Sequence, residues 1–524
     1  MSDQLVELFE DLPGYLGGHM LLSVAALAVG LAISIPLGIL ASRRPRLAEW
    51  ALGVAGVLQT VPSLALLALM VPLLGGMIGF LPAFLAMTLY SFLPILANTV
   101  LGLKGVDPTL IEAARGLGMS ARQMLFRVQL PLAAPVIIGG VRTATVLVVG
   151  TATLATPVGE TTLGNYIFAG LNTRDNTSTV FGCVFAALLA VVLDQLVRLL
   201  EVAARRHSRR LAWVGATGLL LVLGGGLYAP VARLLAPPIN PVVIGSADYT
   251  EQYVLSEVLK GQLQAHNFSV DQRKGMGETI EFESLRASKI DCYVDYTGNI
   301  WATLMKRKDQ KGPKAMLSEV GDYLRDTHGV TCLGHLGFAN AYALAMKTDR
   351  AQKLGIKTVG DLARHSSGMQ IAGDLQFFRR PEWSAIRKAY GLAFAQTKPM
   401  DPTLMYSAVK GGAVDVICAY TSDGRIKAFD LVVLEDPKEA FPPYDAILLL
   451  SPKAANNPKV RQALSPLVQA IDIEMMREAN RQVDVDHQRP RQAGRALLGL
   501  IQERNRLVGL LVPGPPTAAG GRNR

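Results

Sequence analysis

Apolar positions fill long unbroken stretches in the first part of the chain, then give way from about residue 240 to short apolar runs separated by charged and polar residues. Between Trp50 and Leu103 no side chain carries a formal charge, which is room for two bilayer crossings at about 20 residues each. Stretches of this kind predict six spans, near residues 19–41, 50–74, 78–103, 133–157, 177–197 and 211–232. After Ala236, the run Pro237-Pro238-Ile239-Asn240-Pro241 reads as a short, stiff tether over 237–241. Val242-Val243-Ile244-Gly245 then has the pattern of a buried strand ending in glycine. Helical patterns alternate from there with short apolar strands, at 290–294, 414–419 and 446–450 among others. That alternation predicts a mainly parallel α/β architecture in two lobes. The expected order is an α-helical polytopic membrane domain over 1–236, an aqueous α/β domain over 242–512, and a disordered Pro/Gly/Ala-rich tail over 513–524. The lobes are expected at about 242–345 with 440–512, and at about 346–439.

Charge orients the spans. Arg43, Arg44 and Arg46 follow the first, Lys104, Arg115, Arg122 and Arg127 fill the 104–131 loop, and Arg198, Arg205, Arg206, Arg209 and Arg210 precede the last. The opposite segments hold almost no Lys or Arg, Arg174 being the exception, and the N-terminus carries Asp3, Glu7, Glu10 and Asp11. By the positive-inside rule the 104–131 loop is cytoplasmic, and the sixth span delivers the α/β domain to the outside. The net charge of +10 is therefore topological and not the footprint of a nucleic-acid binder. The acidic N-terminus lacks the basic n-region of a cleavable signal peptide, so the first stretch is expected to stay as a span. Arg142 falls inside the fourth span, where it would either snorkel or line a path through the membrane. Four cysteines make no disulfide framework; Cys183 lies in an apolar span, Cys292 and Cys418 read as small buried hydrophobes, and a pairing with Cys332 stays open.

The 104–131 loop carries a specific signature. Asp107-Pro108 is a good helix start, with Asp107 as N-cap and Pro108 in the first turn. Leu110, Ala113, Ala114 and Leu117 then form an apolar stripe at helical spacing. Glu112-Ala113-Ala114, followed by Gly118 and then Val128-Gln129-Leu130-Pro131, resembles the EAA loop of bacterial ABC importer permeases at every spacing, with Val128 where isoleucine is commoner. The blander alternative is an inter-span helix lying on the bilayer surface. The resemblance implies instead that Glu112, Ala113, Ala114 and Gly118 couple the spans to a cytoplasmic ABC ATP-binding subunit, and that the permease works as a homodimer. Gln59-Thr60-Val61-Pro62-Ser63 and Gly159-Glu160-Thr161-Thr162-Leu163-Gly164 also look like permeases of the glycine betaine/choline subfamily. No Gly-Lys dipeptide occurs in the chain, so the phosphate-cradling Gly-Lys-Ser/Thr loop is missing and ATP hydrolysis is expected from a separate subunit.

In the α/β domain two predicted strands end by presenting a tyrosine followed by threonine. Ile290, Cys292 and Val294 share a face with Tyr296, and Val414, Val416 and Cys418 share one with Tyr420. Strand ends of this kind are where open α/β folds bind ligands. A quaternary ammonium group has no N–H to donate and is held instead by aromatic faces, at about 0.5–2 kcal/mol per ring. Tyrosines that only pack are the competing explanation, because ten of the fourteen lie in this domain. The blocks Gly245-Ser246-Ala247-Asp248-Tyr249-Thr250-Glu251-Gln252, Asp295-Tyr296-Thr297-Gly298, Gly337-Phe338-Ala339-Asn340-Ala341-Tyr342, Ala419-Tyr420-Thr421-Ser422-Asp423-Gly424-Arg425 and Pro442-Pro443-Tyr444-Asp445 are similar, in order, to binding proteins for glycine betaine, choline and carnitine. The resemblance implies a two-lobed periplasmic-binding-protein fold and a ligand set of Tyr296, Tyr342, Tyr420 and Tyr444, with Gln252 facing a carboxylate or hydroxyl and Asn299 and Thr421 beside the tyrosines. Tyr249, Tyr406, Phe377, Phe378 and Trp383 are expected to pack. Asn299-Ile300-Trp301 and Asp374-Leu375-Gln376-Phe377-Phe378 depart from the common pattern.

No cofactor or metal is expected, since the seven histidines show no ligand spacing, and no nucleophile–base constellation suggests an enzyme. An importer for an amino acid or another cationic amine is the first alternative; Asp295 or Asp423 turned toward the ligand would favour it. A membrane-anchored solute sensor is the second.

Overall fold

The computed structural model describes residues 3–75, 77–173, 175–235, 240–307, 309, 311–374, 377–400 and 402–511. Arg174, the tether residues 237–239, residues 375–376 and the 513–524 tail lie outside the described residues. The chain divides into two compact units, Met1–Asn240 with Arg273–Ala287, and Pro241–Gln272 with Ser288–Arg524.

The first unit is helical. Its helices are α1 (Asp3–Ser42), α2 (Pro45–Thr60), α3 (Ser63–Leu73), α4 (Phe80–Lys104), α5 (Pro108–Gly116), α6 (Ala121–Met124), α7 (Leu130–Ala152), α8 (Gly164–Thr173), α9 (Asn176–Arg206) and α10 (Arg209–Leu235). Within a bilayer a helix pairs every backbone N–H and C=O inside its own segment, which is why the charge-free stretches take this form. Among the described residues five helices are long and apolar enough to cross a membrane, or six crossings if the α2–α3 pair counts as one. That pair is bent by 100°, so the stretch expected as a straight second span is broken. The break falls at Val61-Pro62: Val61 is extended (φ −68°, ψ 126°), the conformation that a following proline imposes.

The helices pack on small residues and on one charged cluster. A Cβ at Gly140 of α7 would lie 2.5 Å from Asn98 Cβ and 2.6 Å from the Pro94 carbonyl oxygen of α4, so the two helices come this close because residue 140 has no side chain. Arg142 neither snorkels nor stands alone. Its Nε is 2.6 Å from Asp194 Oδ1 and its Nη2 3.0 Å from Asp194 Oδ2, with Glu201 3.7 Å from Nη1, which ties α7 to α9.

Among the described residues ten strands form two sheets, all of them in the second unit except the end of β2. They are β1 (Val242–Ala247), β2 (Val270–Met276), β3 (Cys292–Tyr296), β4 (Thr331–Ala339), β5 (Tyr342–Lys347), β6 (Gln370–Gly373), β7 (Gln396–Pro399), β8 (Val416–Tyr420), β9 (Leu431–Val433) and β10 (Asp445–Leu450). One sheet runs β2-β1-β3-β10-β4 and the other β7-β6-β8-β5-β9. The sheets are mixed and not mainly parallel: β1 runs parallel to β3, and β6 to β7 and β8, but β10 is antiparallel to β3 and β4, and β5 to β8 and β9. The antiparallel strands are the two that arrive from the other sheet. β5 follows β4 with only Asn340 and Ala341 between them, too short for the helical crossover that a parallel neighbour needs. The passage from the first sheet to the second thus falls at Asn340-Ala341, ahead of β5, whereas the sequence pattern had placed Tyr342 in the first lobe.

Alternation along the strands fills both faces of the second sheet. Leu344, Met346, Ile371, Val416 and Cys418 face Phe377, Trp383 and Ile386, whereas Ala345, Ala372, Ile417 and Ala419 face Met405, Tyr406 and Val409. In the first sheet Cys292, Val294, Leu448 and Leu450 lie in one core with Val254, Val258 and Leu259 of the helix Thr250–Ala265 (α11). All four cysteines are free, so Cys292 and Cys332 do not pair here.

The close approach of α4 and α7 makes a test. Gly140→Leu should lower the thermal stability of the purified protein by about 1–3 kcal/mol through overpacking. Gly139→Leu is the control, since nothing lies within 4 Å of a Cβ there. Equal behaviour of the two variants in thermal unfolding would contradict the packing.

Candidate functional site

Two places in the molecule gather chemistry. The first is the loop around α5. Asp107 caps the helix as the sequence indicated, its Oδ1 accepting the Thr109 N–H at 2.8 Å, and Pro108 opens the first turn. Helix α5 ends at Gly116 and the chain turns through Gly118 at φ +76°. Glu112 and Ala113 are exposed and Ala114 is buried. Leu110 and Leu117 remain 47% and 79% exposed, and Phe126 57%. The apolar stripe therefore has one member turned into the chain and the others bare, as a surface that docks elsewhere would be.

The second place is where the two sheets of the second unit exchange strands. Tyr342 opens β5 and Tyr420 closes β8, and the antiparallel register sets them directly opposite each other. Both continue the face that carries Leu344 and Cys418, so their rings meet, with centroids 5.2 Å apart and planes at 35°. Phe377 packs on Tyr342 at 5.3 Å, and Tyr444 stands edge-on to it at 6.3 Å. Tyr444 precedes β10, and Gly298 makes room for it: a Cβ there would lie 2.5 Å from the ring. Three of the four tyrosines singled out by sequence thus converge, together with Phe377, which the sequence had assigned to packing.

The hydroxyls of these tyrosines are committed. Tyr420 donates to Asp374 Oδ2 at 2.9 Å, and Tyr444 to Glu382 Oε1 at 2.7 Å. Arg380 Nη1 donates to the Tyr342 oxygen at 3.2 Å, and its guanidinium lies 5.3 Å from that ring's centroid. Arg380 Nε is also 3.6 Å from Glu382 Oε1. Burial raises the phenol pKa of Tyr342, Tyr420 and Tyr444 above the ordinary range, so the rings stay neutral. Asp374, Arg380 and Glu382 were not among the sequence candidates. Locally Arg380-Pro381-Glu382 signals only a helix start, and the helix Pro381–Tyr390 indeed begins there.

The other sequence candidates serve different ends. Tyr296 is 3% exposed and donates its hydroxyl to Glu251 Oε1. Gln252 donates to the Val294 carbonyl at 2.9 Å and reaches the hydroxyls of Tyr249 and Tyr296 at 3.2 and 3.4 Å. Among the described residues no ring contact joins Tyr296 to the other three tyrosines. The reason is the face of β3: Cys292, Val294 and Tyr296 point into the core that α11 covers. Thr421 is a structural clasp. Its Oγ1 donates to the Ala339 carbonyl at 2.8 Å and accepts the Ala341 N–H at 2.9 Å, holding the strand passage. Asn299 donates to Asp295 at 3.4 Å.

Glu251 links these parts. It is 3% exposed and accepts from Asn340 at 3.2 Å and Asn480 at 2.9 Å as well as from Tyr296. Burial pushes its carboxyl above the usual carboxylate range, against the hydrogen bonds from Ser422, Tyr296, Asn480 and Asn340 that favour the ionised form.

Comparison with known proteins agrees with this division. Residues 240–499 match the family described as the substrate binding domain of ABC-type glycine betaine transport system. Residues 34–206 match the binding-protein-dependent transport system inner membrane component. The ergothioneine transport permease/ergothioneine binding protein of Helicobacter pylori is 31% identical over 476 residues, covering 88% of this chain and 85% of that one. The carnitine transport permease protein of Listeria monocytogenes is 43% identical over 176 residues, 34% of this chain and 80% of its own. A crystal structure of a glycine betaine/carnitine/choline ABC transporter aligns with a TM-score of 0.47 at 26% identity, over 49% of this chain and 97% of that one.

Glu251→Ala should cost the second unit about 3 kcal/mol by stranding three buried donors, read as a lower unfolding midpoint. The linkage has a sign. A carboxyl raised in the folded state gives stability that is present below its unfolded pKa of about 4.3 and is lost as pH rises through the folded value. Unfolding midpoints across acidic pH should therefore show a shallower fall in Glu251→Gln than in the unaltered protein; an unchanged slope would show that the carboxyl carries no such linkage.

Proposed function

The chain belongs to the family of ABC importer components in which an inner-membrane permease is fused to a substrate-binding domain of the glycine betaine transport type, and from that premise we propose that its cargo is a quaternary amine held by Tyr342, Tyr420 and Tyr444. The observation that carries this reading is the convergence of three neutral tyrosine rings, two of which give their hydroxyl protons to buried acids. With the Tyr420 and Tyr444 hydroxyls already donated, these two rings offer a ligand mainly their π faces. A methylated ammonium suits such faces because it cannot use hydrogen bonds, and each ring contributes about 0.5–2 kcal/mol depending on desolvation. Phenols donating to Asp374 and Glu382 place negative charge behind the rings and strengthen the attraction.

Arg380 is the cationic member of the cluster and suits the carboxylate of a zwitterion such as glycine betaine or carnitine. Choline, with no carboxylate, leaves that group unused. An amino-acid cargo would call for an acid facing the ligand at Asp295 or Asp423. Asp295 instead accepts from the Tyr293 hydroxyl at 2.6 Å and the Tyr296 N–H at 2.7 Å, and Asp423 is paired with Arg425. Tyr296, Gln252, Asn299 and Thr421 act on the ligand through the clasp and the strand ends they hold in place.

The importer requires an ATP-binding subunit as partner. The bare residues Leu110 and Leu117 flanking Glu112 support α5 as its docking helix, with the two glycines behind it letting the chain return to α7. The chain itself performs no ATP hydrolysis, and two copies pair through the membrane domain. The arginine clusters support a cytoplasmic 104–131 loop and a binding domain outside.

Calorimetry on the full chain with glycine betaine, choline, carnitine and a panel of amino acids tests the cargo. Heat is expected with a quaternary amine, and Tyr342→Ala or Tyr420→Ala should weaken it by about tenfold or more; response to amino acids alone would overturn the cargo. In proteoliposomes with the ATPase, Glu112→Trp should abolish uptake and spare binding. Loss of both would refute the separation of coupling from recognition.

A further inference from the structure

The two acids behind the tyrosines are not equivalent. Asp374 is filled: Oδ1 accepts the Phe377 N–H at 2.8 Å and Oδ2 the Tyr420 hydroxyl at 2.9 Å. Glu382 is half open. Its residue is 6% exposed, Oε1 takes the Tyr444 hydroxyl and faces Arg380, and Oε2 is buried with no hydrogen-bond partner among the described residues. The side chain stands in the first turn of the helix Pro381–Tyr390. A buried carboxylate oxygen without a donor is costly, and native proteins rarely leave one so.

We infer that the ligand is a quaternary amine that also carries an O–H or a ring N–H, and that Glu382 Oε2 receives this donor. The inference rests on the quaternary-amine reading and narrows it. The methylated ammonium has no N–H to give. Glycine betaine adds only a carboxylate, a second acceptor, and would leave Oε2 unpaired and facing negative charge. A hydroxyl or azole N–H completes the acceptor, while Arg380 remains available for the ligand's carboxylate. Glu382 then discriminates among quaternary amines, a task that aromatic faces cannot perform because they attract every methylated cation alike.

The test is calorimetry on the full chain with four probes: glycine betaine, which has no donor, choline and carnitine, which have a hydroxyl, and ergothioneine, which has a ring N–H. At least one donor-bearing probe should bind about tenfold or more tighter than glycine betaine, the worth of a hydrogen bond to a charged acceptor. In Glu382→Gln an amide N–H₂ competes for the place of the acceptor, and the preference should shrink to about threefold or less, with glycine betaine affected least. Glycine betaine binding as tightly as every donor-bearing probe would overturn the inference and leave the cargo class standing. A uniform loss across all four probes in Glu382→Gln would overturn it too, since charge alone would then be at work. If the unaltered protein binds none of the four, the quaternary-amine reading itself falls.

Discussion

Tyr342 lies opposite Tyr420 because β5 and β8 are antiparallel in one particular register, and most of the tyrosine cluster follows from that pairing. A slip of one residue would turn one ring to the far face, toward Met405 and Tyr406. What holds the register is local: the Thr421 hydroxyl both donates to Ala339 and accepts from Ala341, clasping the passage between the sheets at the residues just before β5. Asn340, inside the same passage, donates its backbone N–H to the Tyr444 carbonyl at 3.0 Å. The passages between sheets thus hydrogen-bond to each other where the tyrosines converge.

Burial of charge is managed differently at each acid in this region. Glu251 is surrounded by amide and phenol donors and welds α11 to the passage. Asp423 is neutralised by Arg425, whose guanidinium also lies 4.0 Å from the Tyr406 ring centroid. Asp374 supports one tyrosine from behind with both oxygens occupied. Only Glu382 combines a support role with an open oxygen. The acids therefore make a graded set, from purely structural to available for chemistry, within a single domain.

The membrane unit follows a separate logic. Where apolar side chains gain nothing by leaving lipid, helices associate through close backbone approach and internal polar pairs. Gly140 against Pro94 is the first kind of contact and Arg142 with Asp194 the second. Helix α7 carries both and follows the α5 loop in the chain.

The sequence by itself determined the division into membrane and aqueous parts, the count of apolar stretches, the Asp107 cap and the EAA-like loop. These are local properties: uncharged length, charge asymmetry, spacing over a few turns. It also indicated that Tyr296 and Tyr420 end strands, because alternation has a period of two residues. Which face of its sheet each tyrosine joins was left to tertiary structure, and it separates these two: β8 turns Tyr420 toward Tyr342, whereas β3 turns Tyr296 under α11. The antiparallel entry of β5 and β10 was equally hidden, since strand direction depends on which sheet a strand joins. Asp374, Arg380 and Glu382 gave no signal because nothing periodic marks them; they matter only by meeting tyrosines 38 to 62 residues away in sequence. The bend at Val61-Pro62 lay in plain view as an X-Pro step, but length and hydropathy alone cannot distinguish a straight span from a broken one.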